Sequence, residues 1–135
     1  MTLKFSVAVR NGELNAIETA ISTTAVLKIW DGAIPATIAG ADSGNALVEM
    51  TLPVDWMDDA SNGVKPKLGT WQTTSACITG SATHFRIYAS NGSTQHIQGT
   101  VTITGAGGDM TLDNNQIAIG QTVVINTFTL TCGNP

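Results

Sequence analysis

The feature that most constrains this chain is a change of hydrophobic period near residue 25. Leu14, Ile17 and Ile21 recur at the three- and four-residue spacing of one helical face, with Ala16 and Ala20 beside them. From Val26 the period is two, and Val26, Leu27, Lys28, Ile29 and Trp30 read as a strand that Asp31 and Gly32 end by turn chemistry. One helix over about residues 7–22, with Ser6 as its N-cap, therefore precedes a chain that otherwise reads as β. Gly12 weakens that helix without breaking it. A helix of this length is marginal alone in water, so its apolar stripe has to be buried against a sheet.

Further strands are expected over residues 46–52, 68–74, 76–88, 94–104, 111–112, 116–119 and 123–131. Two long loops separate the early ones. Residues 33–45 hold Pro35 and many small side chains that cannot build a core, so this loop is expected over the surface or against a partner. Residues 53–66 form the second. With 135 residues and 42% hydrophobic content, the chain fits one domain, 1–135, and one core. The expected fold is mainly β: a β-sandwich or jelly-roll-like domain over about 25–132 with one N-terminal helix.

Composition narrows the partners. Only 12% of residues are charged against about 25% in ordinary soluble domains, whereas there are 20 threonines and 14 glycines. Such a surface suits either a chain largely covered by neighbours or a plain Thr-rich sandwich. The net charge is −4, and Lys4, Arg10, Lys28, Lys65, Lys67 and Arg86 form no stripe that neutralises phosphates, so no nucleic-acid partner is expected. No apolar run approaches the ~20 residues of a membrane span, and none long enough for a signal peptide follows residues 1–5. No membrane partner is expected, and synthesis and folding in the cytoplasm are. Cys77 and Cys132 lie in strand-like segments outside any CxxC or Cys/His array, which favours reduced, buried or half-buried thiols.

Ser90, Asn91 and Gly92 mark a hairpin between residues 76–88 and 94–104. A three-residue loop with a left-handed Gly92 sets Phe85 opposite Ile97 and puts Phe85, Ile87, Ile97, Val101 and Ile103 on the core face. The outer face then gathers His84 opposite Gln98 and Arg86 opposite His96. Two imidazoles suit a transition metal, but an arginine between them repels a cation and no third ligand is evident. A solvated polar face and an inter-subunit contact remain. In the loop 53–66, Asp55, Asp58 and Asp59 lack the further ligands and closing Glu of an EF-hand, so a solvated loop is expected. Trp56 reads either as an anchor to the core or as an exposed contact residue.

Enzyme signatures are weak. Gly105, Ala106, Gly107 and Gly108 lack the Lys-Ser/Thr of a phosphate-binding loop and read as a turn. Asp42, Ser43 and Gly44 match the Asp-Ser-Gly element of aspartic proteases, but Gly40 and Ala41 make a poor preceding strand and Asn45 follows where a small residue is usual. GxSxG and HExxH are missing. The expectation is a non-enzyme with no catalytic residue, cofactor or metal.

The block Arg10-Asn11, Leu14, Ala16-Ile17, Ala20, Leu27-Lys28-Ile29-Trp30, Gly32 and Pro35-Ala36 resembles the opening of a family of small virion-type proteins of tailed bacteriophages. Further matches are Asp42-Ser43-Gly44, the run from Gly80 through His84-Phe85-Arg86 to Tyr88, Gln98-Gly99-Thr100-Val101 and Gly108-Asp109-Met110. Lys28 stands where Arg is common in that pattern and Trp30 where Tyr is. The resemblance implies a virion structural protein, first a capsid decoration or cement protein bound to the major capsid protein, with a homotrimer favoured. A tail, tail-fibre or baseplate component, possibly a carbohydrate-binding adhesin, is the alternative. The interaction surface expected for such a role comprises Pro35, Trp56, Asp58, Asp59, His84, Arg86, His96 and Gln98, with Trp56 as its energetic anchor.

Overall fold

The computed structural model describes residues 3–75 and 77–134. Among them is one helix, α1 (Val7–Ile21), and it begins where Ser6, in extended conformation, accepts from the Val9 N–H through its hydroxyl. It ends at Ser22, whose N–H reaches Glu18 O at 2.8 Å and whose carbonyl accepts from the Trp56 indole at 2.9 Å. Leu14 and Ile21 are buried and Ile17 packs against the core, as the periodicity requires. Ala16 and Ala20 are exposed, so they do not extend the buried stripe. Its flank is polar instead. Asn11, Asn15 and Glu18 accept from the backbone N–H groups of Gly63 at 2.8 Å, Ala60 at 3.0 Å and Met57 at 3.3 Å. Burial holds one side of the helix and hydrogen bonds hold the next.

The strands are β1 (Val26–Trp30), β2 (Ala46–Thr51), β3 (Val64–Pro66), β4 (Trp71–Gln72), β5 (Gly80–Ser81), β6 (His84–Tyr88), β7 (Gln95–Ile103), β8 (Met110–Leu112), β9 (Gln116–Ile117), β10 (Val124–Ile125) and β11 (Thr129–Thr131). A five-stranded sheet runs β2-β1-β6-β7-β8, and the pairs β4/β10, β3/β11 and β5/β9 form two-stranded ribbons. The fold is mainly β with one N-terminal helix, as expected. The expected long strands are shorter. Residues 76–88 yield β5 and β6, with Ala76 outside the described residues, and 123–131 yield β10 and β11. Between β5 and β6 the backbone turns out of the ladder to bond Asn115 O and Trp30 O from Ala82 and Thr83.

The β6–β7 register differs from the sequence expectation by two residues. Phe85 faces Gly99, Arg86 faces Gln98 and Ile87 faces Ile97, and an irregularity then pairs Tyr88 with Gln95 and leaves His96 unmatched. Gly99 explains the shift, because a Cβ there would come within 2.7 Å of the Phe85 ring. The aromatic side chain needs a partner without one. The Gly92 conformation is left-handed as predicted, φ +68°, but Asn91 caps the turn through Ser93 N and Thr94 N and lengthens it by a residue. Phe85, Ile87 and Val101 are in the core, whereas Ile103 is 47% exposed rather than core-facing. β8 pairs parallel to β7 after a six-residue return that Asp109 secures by accepting from Thr100 N and Oγ1, both at 2.9 Å.

The inner sheet face carries Leu27, Ile29, Val48, Met50, Phe85, Ile87 and Val101, and the ribbons and helix close over it with Trp71, Phe128, Ile125, Ile117 and Ile21. Its aromatic spine runs Trp56–Trp71–Phe128–Phe85, with centroids 6.0, 5.5 and 5.6 Å apart. Trp56 is fully buried and its indole N–H is satisfied at the helix end, so it ties the loop to the core and offers nothing to a partner. Both thiols are free, Cys77 buried and Cys132 half-buried. Trp56→Ala is expected to lower the unfolding free energy by about 3–5 kcal/mol in urea titrations monitored by far-UV circular dichroism.

Candidate functional site

The antiparallel register aligns Lys28 with Arg86 and Arg86 with Gln98 across β1, β6 and β7, and Trp30 with His84. Alternation turns these side chains, with Val26 and Tyr88, to the face opposite the core. Around His84, Arg86 and Tyr88 that face is neither solvated nor free for another subunit. Residues 33–45 fold over it, and Arg86 and His84 are both fully buried.

Arg86 is the fastening point. Its Nε donates to Gln98 Oε1 at 2.9 Å, Nη1 to Gly40 O at 2.8 Å and Asp42 Oδ1 at 2.9 Å, and Nη2 to Thr37 O at 3.3 Å. Gln98 passes the contact on by donating to Pro35 O at 2.8 Å. Asp42 Oδ1 also accepts from the Tyr88 hydroxyl at 2.7 Å; burial, reinforced by this bond, raises the phenol's pKa well above its ordinary range. The Asp-Ser-Gly element therefore serves a clamp, its aspartate taken up by two side chains of one strand. The loop base is closed by Asp31, whose Oδ1 accepts from Asn45 N at 2.6 Å; this bond holds the carboxyl below its usual pKa. Gly44, at φ +83°, provides the left-handed turn this closure needs.

His84 sits beside the clamp. Thr83 Oγ1 lies 2.7 Å from Gly32 O and 2.9 Å from His84 Nδ1. The hydroxyl has one proton and two carbonyl acceptors, Gly32 O and, at 3.2 Å, Trp30 O; with that proton on either of them, Oγ1 accepts from Nδ1, the tautomer in which Nε2 is a bare acceptor. Among the described residues Nε2 has no partner, and neither has the nearby indole N–H of Trp30. Desolvation first, and Arg86 second, depress the His84 pKa, with Asp42 and Asp31 opposing.

The other expected surface residues separate into two places. Pro35 is half-buried, and Gln98, facing Arg86 rather than His84, is partly covered by the clamp. His96 is exposed, and with Ile17, Ile38, Ile97 and Leu130 it borders an open cleft of about 430 Å³. Asp58 and Asp59 are exposed on the other loop, where Asp58 Oδ1 accepts from Asp59 N at 2.9 Å. Asp55 and Asp59 rim a second cleft of about 520 Å³, whose wall carries Asn15, Glu18 and Lys65.

Lys65 is the residue that sequence reasoning missed. It is 1% exposed, and its Nζ bonds Glu18 Oε2 at 2.7 Å, Asp58 O at 2.8 Å and Asn15 Oδ1 at 3.0 Å. The signal was the polar series Asn11, Asn15 and Glu18 at helical spacing beside the apolar stripe, which marks a docked rather than a solvated flank. Lys28, by contrast, is only half-buried, 3.7 Å from the exposed Glu49 across β1–β2 and 5.0 Å from the Tyr88 ring centroid. Comparison with protein-family models, with curated proteins and with solved structures found no match to this chain.

The His84 environment dictates a pH dependence. The folded state holds the imidazole neutral while the unfolded chain takes up a proton near pH 6.5, so unfolded molecules bind more protons and stability falls as pH drops below that value. In urea titrations the stability difference between wild type and His84→Gln is expected to shrink from about pH 8 to pH 5. A difference that stays constant contradicts this assignment.

Proposed function

We propose that the chain is a non-enzymatic structural subunit of a tailed-bacteriophage particle, first of all a capsid decoration protein that assembles as a homotrimer and binds between major capsid subunits. The resemblance of its helix, clamp-loop and hairpin blocks to phage virion proteins supports this reading. The observation that carries it is the character of the exposed surface. Only 12% of the chain is charged, yet Ile119 is 79% exposed, Val54 66% and Ile78 53%. Ile78 and Ile119 continue the β5/β9 ribbon beyond the Gly80–Ile117 pair, where Ile119 N donates to Thr79 Oγ1 at 3.0 Å. Neighbouring apolar side chains on a ribbon tip, in a chain poor in charge, suit a surface that other subunits cover.

Binding an assembled shell but not its loose subunits would stabilise the shell by mass action. The contacts then belong to the exposed residues: Val54, Asp58 and Asp59 on one loop, Ile34 and Ile38 on the outer side of the clamped loop, and Ile78 with Ile119. A tail-associated adhesin remains the alternative, but sugar binding loses its stacking platform. The three tryptophans and Tyr88 are all buried.

Quantitative mass spectrometry of purified particles tests the reading. Copies in the hundreds per particle are expected, with light scattering giving three times the chain mass in solution; a few tens of copies or fewer would move the protein to the tail. Ile78→Asp with Ile119→Asp is expected to weaken shell binding at least about tenfold while leaving the circular dichroism spectrum unchanged.

A further inference from the structure

We propose that Lys65 and Asn15 join in an intramolecular isopeptide bond, with Glu18 as the proton carrier. A carboxamide is a poor electrophile and an ammonium group is no nucleophile, so the reaction needs a base on the amine, donors on the carbonyl oxygen and fixed proximity. All three are assembled at the wall of the larger cleft. Lys65 is 1% exposed, and its Nζ lies 2.7 Å from Glu18 Oε2, which is placed to take its proton. Nζ is 3.0 Å from Asn15 Oδ1, the oxygen bonded directly to the carbon to be attacked. The Ala60 N–H donates to the same oxygen at 3.0 Å and stays to hold it as it gains negative charge.

The reactants are held from both sides. Asn15 and Glu18 share one flank of α1, Glu18 Oε1 is fixed by the Met57 N–H at 3.3 Å, and Lys65 sits on β3 with a further bond to Asp58 O at 2.8 Å. Glu18 takes a proton from the Lys65 ammonium, and the freed electron pair on Nζ attacks Asn15 Cγ. Glu18 returns that proton to Nδ2, the Cγ–Nδ2 bond breaks and ammonia leaves. Nζ gives up a second proton through Glu18, which departs with ammonia as ammonium. One C–N bond replaces another, and no oxidant or co-reactant is consumed. The cleft opens to solvent beside these side chains and gives ammonia an exit. The product staples the N-terminal helix to the β3/β11 ribbon across 50 residues of sequence.

Intact-mass spectrometry of the folded full chain decides the matter. Wild type is expected to weigh one ammonia less than its sequence, about 17 Da. Trypsin should then leave residues 11–28 joined to 29–67 through Asn15 and Lys65. Lys65→Arg is expected to keep its full sequence mass. Glu18→Gln, which retains both reacting side chains, should lose ammonia about a hundredfold more slowly. Wild type that is folded by near-UV circular dichroism yet keeps its full mass overturns the proposal, and so does an ammonia loss that persists in Lys65→Arg.

Discussion

A guanidinium shut away from water is the constraint on which the rest of this structure depends. Burying the Arg86 charge costs several kcal/mol unless its donors are met, and most of the acceptors that meet them belong to residues 37–42, a segment with no core of its own. The loop needs the arginine to be ordered, and the arginine needs the loop to be buried. Their mutual dependence covers the middle of the second sheet face, beside the small cluster of Val26, Trp30 and Tyr88. It also makes a neutral His84 the stable form, since a proton on Nε2 would add a second buried cation with no acceptor.

Lys65 repeats this device on the other side of the molecule. A chain with only six basic residues buries two of them completely, and each ties a segment outside the main sheet to a strand: the clamp loop to β6, and the helix to β3. These two buried charges order loops, while the other four basic residues and all ten acidic ones stay at least partly exposed beside the surface threonine, glycine, isoleucine and valine. The device takes up two of the sixteen charged residues, so the low charged fraction belongs to the surface as well. It also separates two kinds of residue that the sequence mixes together, those that maintain the fold and those free to touch a partner.

How far the sequence could be read follows from the range of each interaction. The helix, its Ser6 cap, β1, the hairpin near Gly92 and the loop 33–45 depend on neighbours a few positions apart, and they were legible; the loop expected over 53–66 instead ends in β3, whose pairing with the distant β11 no local pattern shows. The β6–β7 register was not, because the fit of Phe85 over Gly99 depends on space above a strand rather than on alternation along it. Arg86 and His84 looked like an open polar face because period-two patterning cannot tell water from a covering loop. Trp56 could be core or contact until Ser22 O and Trp71 were placed around it. The blocks on which the proposed phage reading rests include Arg10, Asn11, Asp42, Arg86, Tyr88, Gln98 and Gly99, and these are the residues of the clamp, the helix docking and the register. They mark how the chain folds, while the exposed side chains most open to a partner lie mainly outside them.

Hydrogen exchange on Arg86→Met tests the central dependence most directly, by comparing amides of residues 33–45 with those of β1 and β6 in the same molecules. If the guanidinium holds the loop, the Gly40 and Asn45 amides lose most of their protection while Leu27 and Phe85 keep theirs. Loop amides that exchange at wild-type rates in the variant would contradict the account.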